Sequence, residues 1–486
     1  MHRAKLNATT IFMSAIVLAS AITVPSVASA QVVKPAEQAK AAQEHPKILA
    51  QFGGAIEGPL GAYVTRIGDK TAVAANLAGQ CRFTVINSDV VNAFAVPGCY
   101  IYVTRGLLTI MNSEDELAAV LGHEVGHIQG KHSSKRQRAS TLSSLGALAL
   151  GLATRSQEIM QTAGQLAQVY TLRYSREQEH ESDDFGVQHL RSIGYNQFAA
   201  SDIMEALGAQ EALDARVNNR ESRAMPNWAR THPVSSERVA RTRAAARAAG
   251  ATPTSPPETT APFFAAINGM RVGDDPEQGF INGKVFSHPS IKITFEAPQG
   301  FTLTNTPQAV QLQGPNNTKG QFAGGRAMSG SLENYANSVL RGVLGQTPAQ
   351  IGDVQASTVN GIQTSSLLAR AQAQGGQAVD IAVMAYNING KAYHFLLVGP
   401  SGQLNPTFAM TQSLRMLSDS EIATLRPRQI EIVTVRPGDT IASLSARMAY
   451  TDFQQDRFRV INAISADRPL RTGERFKVVK YGAGLR

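Results

Sequence analysis

Cysteine is nearly absent: the 486-residue chain has two, Cys81 and Cys99. Two cysteines exclude a disulfide-stapled scaffold and cannot by themselves close a zinc site, and nothing near them supports one. Long apolar runs are scarce as well. Ile11–Val24 and Thr141–Ala153 are fourteen and thirteen residues long, where a membrane-spanning helix needs about 20. Collagen-like or disordered bias is missing, since 43% apolar and 17% charged residues is ordinary for a globular protein. No nucleic-acid motif accompanies the net charge of +9. The basic cluster Lys131–Arg138 has the character of a solvated face, and the modest positive excess would help attachment to an anionic envelope surface.

What is present begins with an export signal over residues 1–30. Arg3 and Lys5 form a basic n-region, Ile11–Val24 an apolar core, and Ala28-Ser29-Ala30 an A-x-A cleavage site before Gln31. No cysteine follows the cleavage point, so no lipid anchor is expected. The mature protein should be exported and soluble, without a transmembrane span. In an oxidising compartment Cys81 and Cys99 are expected to pair. The stretch between them has the pattern of two strands around a polar turn, and a hairpin centred near Val90 would set them nearly opposite.

The chemistry is concentrated in "VLGHEVGHIQGKHS", residues 120–133. A helix repeats every 3.6 residues, so His123 and His127 share a face one turn apart, where two imidazoles can hold one zinc ion. Glu124 beside them can take a proton from water. The helix itself is predicted from a capping box at Ser113 and Glu116, two further acids in the first turn, and apolar spacing at Leu117, Val120, Leu121, Val125 and Ile128. Gly130 is the expected end. His132 comes one residue too early for the H-E-x-x-H-x-x-G-x-x-H pattern, so it is not expected to bind the metal.

A catalytic zinc needs a third protein ligand. "YSREQEHESDDFGVQHLRSIG", residues 174–194, predicts a second helix ending at Gly194, with Glu179 and Asp183 on one face. One can ligate while the other bonds a ligand histidine and fixes its tautomer. Glu177 and Glu181 form a competing pair at the same spacing, and spacing alone does not choose. Gly186 on this helix would let it approach the first closely.

Four stretches in order, "NAFAVPGCYIYVTRGLL", "HEVGHIQGKH", "YSREQEHESDDFG" and "THPVSSERV", resemble the CaaX-prenyl-protease (HtpX/BepA-like) family of zinc metallopeptidases, in its exported soluble bacterial branch. The resemblance covers roughly residues 45–245. It implies a gluzincin-type protease fold, Glu179 as third ligand of one zinc ion per chain, and Asp183 behind the ligands. It further implies that His232 assists the transition state as a catalytic residue and that Arg238 frames the site. Where the family has Pro-Gly-Gly, this chain has Pro97-Gly98-Cys99. The edge of the "AFAVPGCYIYV" strand would accept an extended peptide, suiting unfolded or misfolded envelope proteins as substrates.

The expected organisation is α+β: a protease domain over 31–250, a Pro/Thr-rich linker over 251–262, a strand-rich α+β domain over 263–420, and a small βααβ module over 429–481. The last is similar to a LysM module through "VRPGDTIASLSARM", "VINAI" and "LRTGERFKVV", which implies peptidoglycan as a partner. Thr141–Ala153 would pack in the core, cover the site as a lid, or touch the membrane surface. The function implied is an exported, periplasmic zinc endopeptidase in envelope quality control, possible attachment being to the cell wall or membrane surface. The competing reading is a wall-binding scaffold or chaperone-like protein with a latent protease domain; a peptidoglycan amidase fits the motifs less well.

Overall fold

Two parallel strands and one antiparallel strand place the catalytic helix. β1 (Arg82–Ile86) runs parallel to β3 (Tyr100–Thr104), and β2 (Ala93–Val96) pairs antiparallel on the far side, giving the order β1-β3-β2. The computed structural model describes residues 32–133, 135, 174–218, 232–253, 257–373, 376–465 and 468–484. The proposed signal at 1–30 and the Thr141–Ala153 segment lie outside these residues. Cys81 and Cys99 form a disulfide with Cα atoms 4.6 Å apart, but not across the expected hairpin. β1 and β2 do not pair; β3 sits between them. The cysteines are neighbours because each precedes one of two parallel strands, with Arg82 opposite Tyr100 and the Arg82 amide donating to the Cys99 carbonyl at 2.8 Å.

Helices α1 (Pro35–Gln51) and α2 (Gly58–Ala74) flank this sheet, and Ala41 and Ile48 of α1 pack with Ile86, Phe94, Val96 and Tyr102. After β3 a short helix, α3 (Arg105–Ile110), leads into α4 (Glu114–Gln129). α5 (Arg176–Ser192), α6 (Ala199–Asn218) and α7 (Ser236–Ala248) complete the helical part. No helix among the described residues is long and apolar enough to cross a membrane.

The stretch expected to be a linker contributes a helix instead, α8 (Pro257–Ile267). Proline fixes φ near the helical value and lacks an N–H that the first turn would leave unpaired, so the Pro-rich text that resembles a linker also starts a helix. Phe263 and Phe264 are buried, and Thr259 donates to Asp115 at 2.6 Å.

The strand-rich part holds β4 (Arg271–Val272), β5 (Phe280–Asn282), β6 (Val285–His288), β7 (Ile293–Glu296), β8 (Thr302–Asn305), β9 (Ala309–Gln313) and β10 (Lys319–Ala327). After α9 (Leu332–Leu344) come β11 (Ala349–Ile351), β12 (Gln355–Val359), β13 (Ile362–Gln372), β14 (Ala378–Ile388) and β15 (Lys391–Pro400). Then follow α10 (Asn405–Ser413), β16 (Arg415–Met416) and α11 (Asp419–Thr424). The large sheet has the order β11-β13-β14-β15-β10-β9-β8, with β12 on β13. One face takes the apolar stripe of α9, in which Leu332, Ala336, Leu340 and Leu344 recur every fourth residue and meet Leu367, Ile381 and Val383. The other buries Phe322, Tyr386 and Phe395 against Phe286 and Phe295 of the small sheet β16-β7-β6-β5.

The C-terminal part has the order β17 (Arg428–Thr434), α12 (Ile441–Ser445), α13 (Gln454–Ile461), β18 (Arg475–Tyr481). It does not stand apart: β17 pairs with β18 on one side and with β4 on the other. Residues 33–486 form one compact unit.

Candidate metal centre

α4 forms where the spacing predicts it. Ser113 is the N-cap, its Oγ accepting from the Glu116 amide at 3.2 Å. Glu116 does not reach back to Ser113, as a capping box requires, but to the amide of Asn112 at 2.8 Å. Leu117, Val120, Leu121, Val125 and Ile128 are all buried, each worth about 1.5–3 kcal/mol relative to exposure. The helix stops at Gly130, where an added Cβ would lie 2.3 Å from the buried His132 ring, so only glycine lets the chain fold back there.

α5 packs across α4. Ser175 and Gln178 form a true capping box that the sequence reading missed, and Gly194 follows the helix at φ +77°. The close approach depends less on Gly186 than expected. An added Cβ there would meet His123 N at an ordinary 3.5 Å, whereas on Gly126 it would be 3.1 Å from Ser182 O and Phe185 Cβ. His189 ties the helices, one ring nitrogen 3.1 Å from Gly122 O and the other 3.0 Å from Gln129 Oε1.

This packing brings together His123, His127, Glu179 and His232, whose ligand atoms all lie within 4.8 Å of one another. All four are buried. His123 Nδ1 is 3.0 Å from Asp183 Oδ1, and its Nε2 is turned to His127 and His232. Asp183 in turn accepts the Arg238 fork, Nε to Oδ2 at 2.8 Å and Nη2 to Oδ1 at 2.7 Å. Arg238 Nη1 also reaches Glu179 Oε2 at 2.7 Å. Burial alone would raise the Asp183 carboxyl, but the hydrogen bonds from Arg238 and His123 outweigh it and hold it at about 2. Burial acts the same way on Glu179 and is overcome there by His232, His123 and Arg238, which keep it ionised.

His132 is no member of the donor set, in line with its misplaced spacing, yet it has a function the sequence reading missed. Its Nδ1 is 2.8 Å from His127 Nδ1, and its Nε2 is 3.0 Å from Glu181 Oε2. The hydrogen-bond chain assigns the tautomers: His127 Nδ1–H donates to His132, and His132 Nε2–H donates to Glu181. The competing acids are thereby sorted. Glu179 enters the donor set, Glu181 serves His132, and Glu177 is exposed. Tyr174, also missed, stacks on His127 with ring centres 3.8 Å apart. Burial and then the nearby imidazoles of His123, His232 and His132 push His127 well below the ordinary histidine range, so it stays neutral.

A metal fits this donor set. With the His127 Nδ1 proton directed to His132, His127 Nε2 turns a lone pair toward His123 Nε2 at 3.1 Å. A cation relieves that arrangement. Glu179 turns one carboxylate oxygen to each, Oε2 being 3.6 Å from His123 Nε2 and Oε1 3.6 Å from His127 Nε2. Glu124, fully buried, lies on the same helix with Oε1 3.5 Å from His232 Nε2. His232 sits inside the set rather than beside it, Nδ1 being 2.9 Å from Glu179 Oε1 and 3.3 Å from both ligand Nε2 atoms.

Residues 60–246 match the pattern of peptidase family M48. The beta-barrel assembly-enhancing protease of Escherichia coli (strain K12) is 28% identical over 188 residues, 37% of this chain and 37% of that one. The mitochondrial metalloendopeptidase OMA1 of Schizosaccharomyces pombe is 26% identical over 211 residues, 42% of this chain and 59% of that one. OMA1 of Arabidopsis thaliana is 34% identical over 124 residues, 26% and 25% of the two chains. The chain spans 37% of the length of the bacterial relative.

Proposed function

Given a metallopeptidase domain of family M48 over residues 60–246, we propose that this chain is an exported, periplasmic zinc endopeptidase acting on unfolded or misfolded envelope proteins. The observation that carries the reading is the buried donor set with Glu124 on the same helix. His123, His127 and Glu179 would hold zinc, a set of two imidazoles and one carboxylate that suits it. Bound zinc supplies Lewis acidity and brings the pKa of water near neutrality. Glu124 accepts the proton of the attacking water and returns it to the leaving amine. Asp183 and Arg238 keep His123 and Glu179 oriented, and His132 does the same for His127.

β2 is an edge strand of its sheet and lies against α4. An extended peptide added there would be read through its main chain, which suits unfolded substrates. A relative named for β-barrel assembly supports envelope proteins as the substrate class. Residues 429–481 keep the strand–helix–helix–strand order of a LysM-like module, and sedimentation of the full chain with peptidoglycan tests that partner. Purified residues 31–486 are expected to cleave casein, to stop on chelation and to resume when zinc is restored. Cleavage indifferent to chelator would remove the metal from the reading.

His232 carries a second role in this proposal. Three protein donors leave a position for water, and a fourth closes the set. With zinc held by His123, His127 and Glu179, His232 at its present distances from all three would compete with water for the metal and would have to withdraw for turnover. His232→Ala is expected to raise casein cleavage several-fold. A fall of about 100-fold or more would return His232 to the oxyanion role that the sequence suggested.

A further inference from the structure

The first turn of α4 consists of three acids, Glu114, Asp115 and Glu116, which suit the positive end of the helix dipole. All three are buried, and each reaches a different segment. Glu114 accepts from Tyr63 Oη at 2.8 Å, Arg66 Nη2 at 2.9 Å and Tyr195 Oη. Asp115 accepts from the Asn196 amide at 3.1 Å and from Thr259 at 2.6 Å. Glu116 accepts from the Asn112 amide. The charge it faces comes from the far end of the chain: Lys477 on β18.

Lys477 is fully buried. Its Nζ donates to Thr109 O at 2.8 Å and to Met111 O, the carbonyls at the end of α3, where the helix dipole favours a cation. The backbone at 477 is itself clamped. Its amide donates to Asn462 Oδ1 at 2.7 Å and its carbonyl accepts from Asn462 Nδ2 at 2.9 Å. Asn462 is the asparagine of "VINAI", and it works here as a brace on β18. A buried ammonium persists only with partners; Lys477 has two carbonyls in hydrogen-bond contact and feels the Glu116 carboxylate through space. Burial drives Glu116 up and Lys477 down, and each charge partly reverses the other's shift. Asp115 and Asp202 also face Glu116 and add to its rise.

The four residues between Lys477's anchors and the N-cap, Thr109 to Asn112, are therefore held from both sides. They are also the hinge on which α4, with His123, Glu124 and His127, is mounted. We propose that Lys477 is a positioning residue for the catalytic helix, so that the C-terminal βααβ part is a working element of the peptidase in addition to any ligand it binds. The activity side of this proposal rests on the peptidase reading; the structural side does not.

The test uses the full mature chain, with Lys477→Met compared with Lys480→Met, a control on the same strand whose Nζ pairs with Glu431 at the surface. Two readouts are taken: kcat and KM on casein peptides, and hydrogen exchange of the amides of residues 114–121. Lys477→Met is expected to lower kcat at least tenfold with KM within twofold, and to speed exchange in that segment at least tenfold, while Lys480→Met changes neither. Because the single variant leaves Glu116 uncompensated, Glu116→Gln/Lys477→Met is made as well. It removes both charges, and it should fold yet keep the faster exchange, since the carbonyls of Thr109 and Met111 stay unpaired. Unchanged exchange and kcat in either folded variant would overturn the proposal. Failure of both to fold would also overturn it, assigning Lys477 to general stability. A parent without proteolysis would defeat the peptidase reading alone, and the exchange data would still decide the role of Lys477.

Discussion

Replacing Glu124 by glutamine is expected to reduce casein cleavage by about 10²–10⁴-fold, the usual contribution of a general base, with bound metal unchanged at one ion per chain. Glutamine keeps the shape and cannot accept the proton. In the proposed reading the metal is held by His123, His127 and Glu179, so metal content should not follow activity. Steady-state kinetics together with elemental analysis of the purified variant checks both halves. Metal lost along with activity would make Glu124 structural. Equal, negligible cleavage in parent and variant would favour the reading in which the protease part is latent and the chain works by binding.

The second large effect is on stability. Arg238 is 2% exposed and neutralises two carboxylates that are nearly as buried, Asp183 and Glu179. Arg238→Met strands both, and breaking a buried ion pair from one side costs about 3–5 kcal/mol. The expected result is a urea midpoint well below that of the parent. The pH dependence follows from the sign of the shift. Asp183 sits at about 2 in the folded chain against an ordinary 3.8. It therefore contributes stability above the ordinary value that is lost as pH falls through about 2. In Arg238→Met the folded carboxyl moves back up toward its ordinary value or beyond, so this acid-side loss should shrink. A variant with the parent's midpoint at neutral pH would show that other groups carry the two charges.

Most of the centre was legible because its information is local. The H-E-x-x-H spacing, the Ser113 cap and the apolar stripe of α4 all act within one or two turns of helix, and so do Glu179 and Asp183 on α5. The choice of Glu179 over Glu181 was not local; it followed from family resemblance, and in the structure it turns on where His132 lies after the chain folds back at Gly130. The cysteine pair was anticipated with the wrong topology. Alternating apolar residues announce strands but not which strand inserts between two others, and β3 between β1 and β2 is a nonlocal choice. Lys477 and the acids of Glu114–Glu116 were illegible for a further reason. Charged residues default to the surface, and only tertiary partners 48 to 368 residues away make their burial affordable.

The contact between Lys477 and Thr109 spans 368 residues, which sets an order of events during synthesis. At about 5–20 residues per second, roughly 20–70 s separate the emergence of Thr109 from that of Lys477. Throughout that interval the hinge ahead of the H-E-x-x-H helix lacks its last brace. A chain interrupted between His232 and Lys477 would carry all four residues of the donor set and Glu124, yet not this brace. If Lys477 positions the helix as proposed, the site's geometry depends on a residue translated long after its donors.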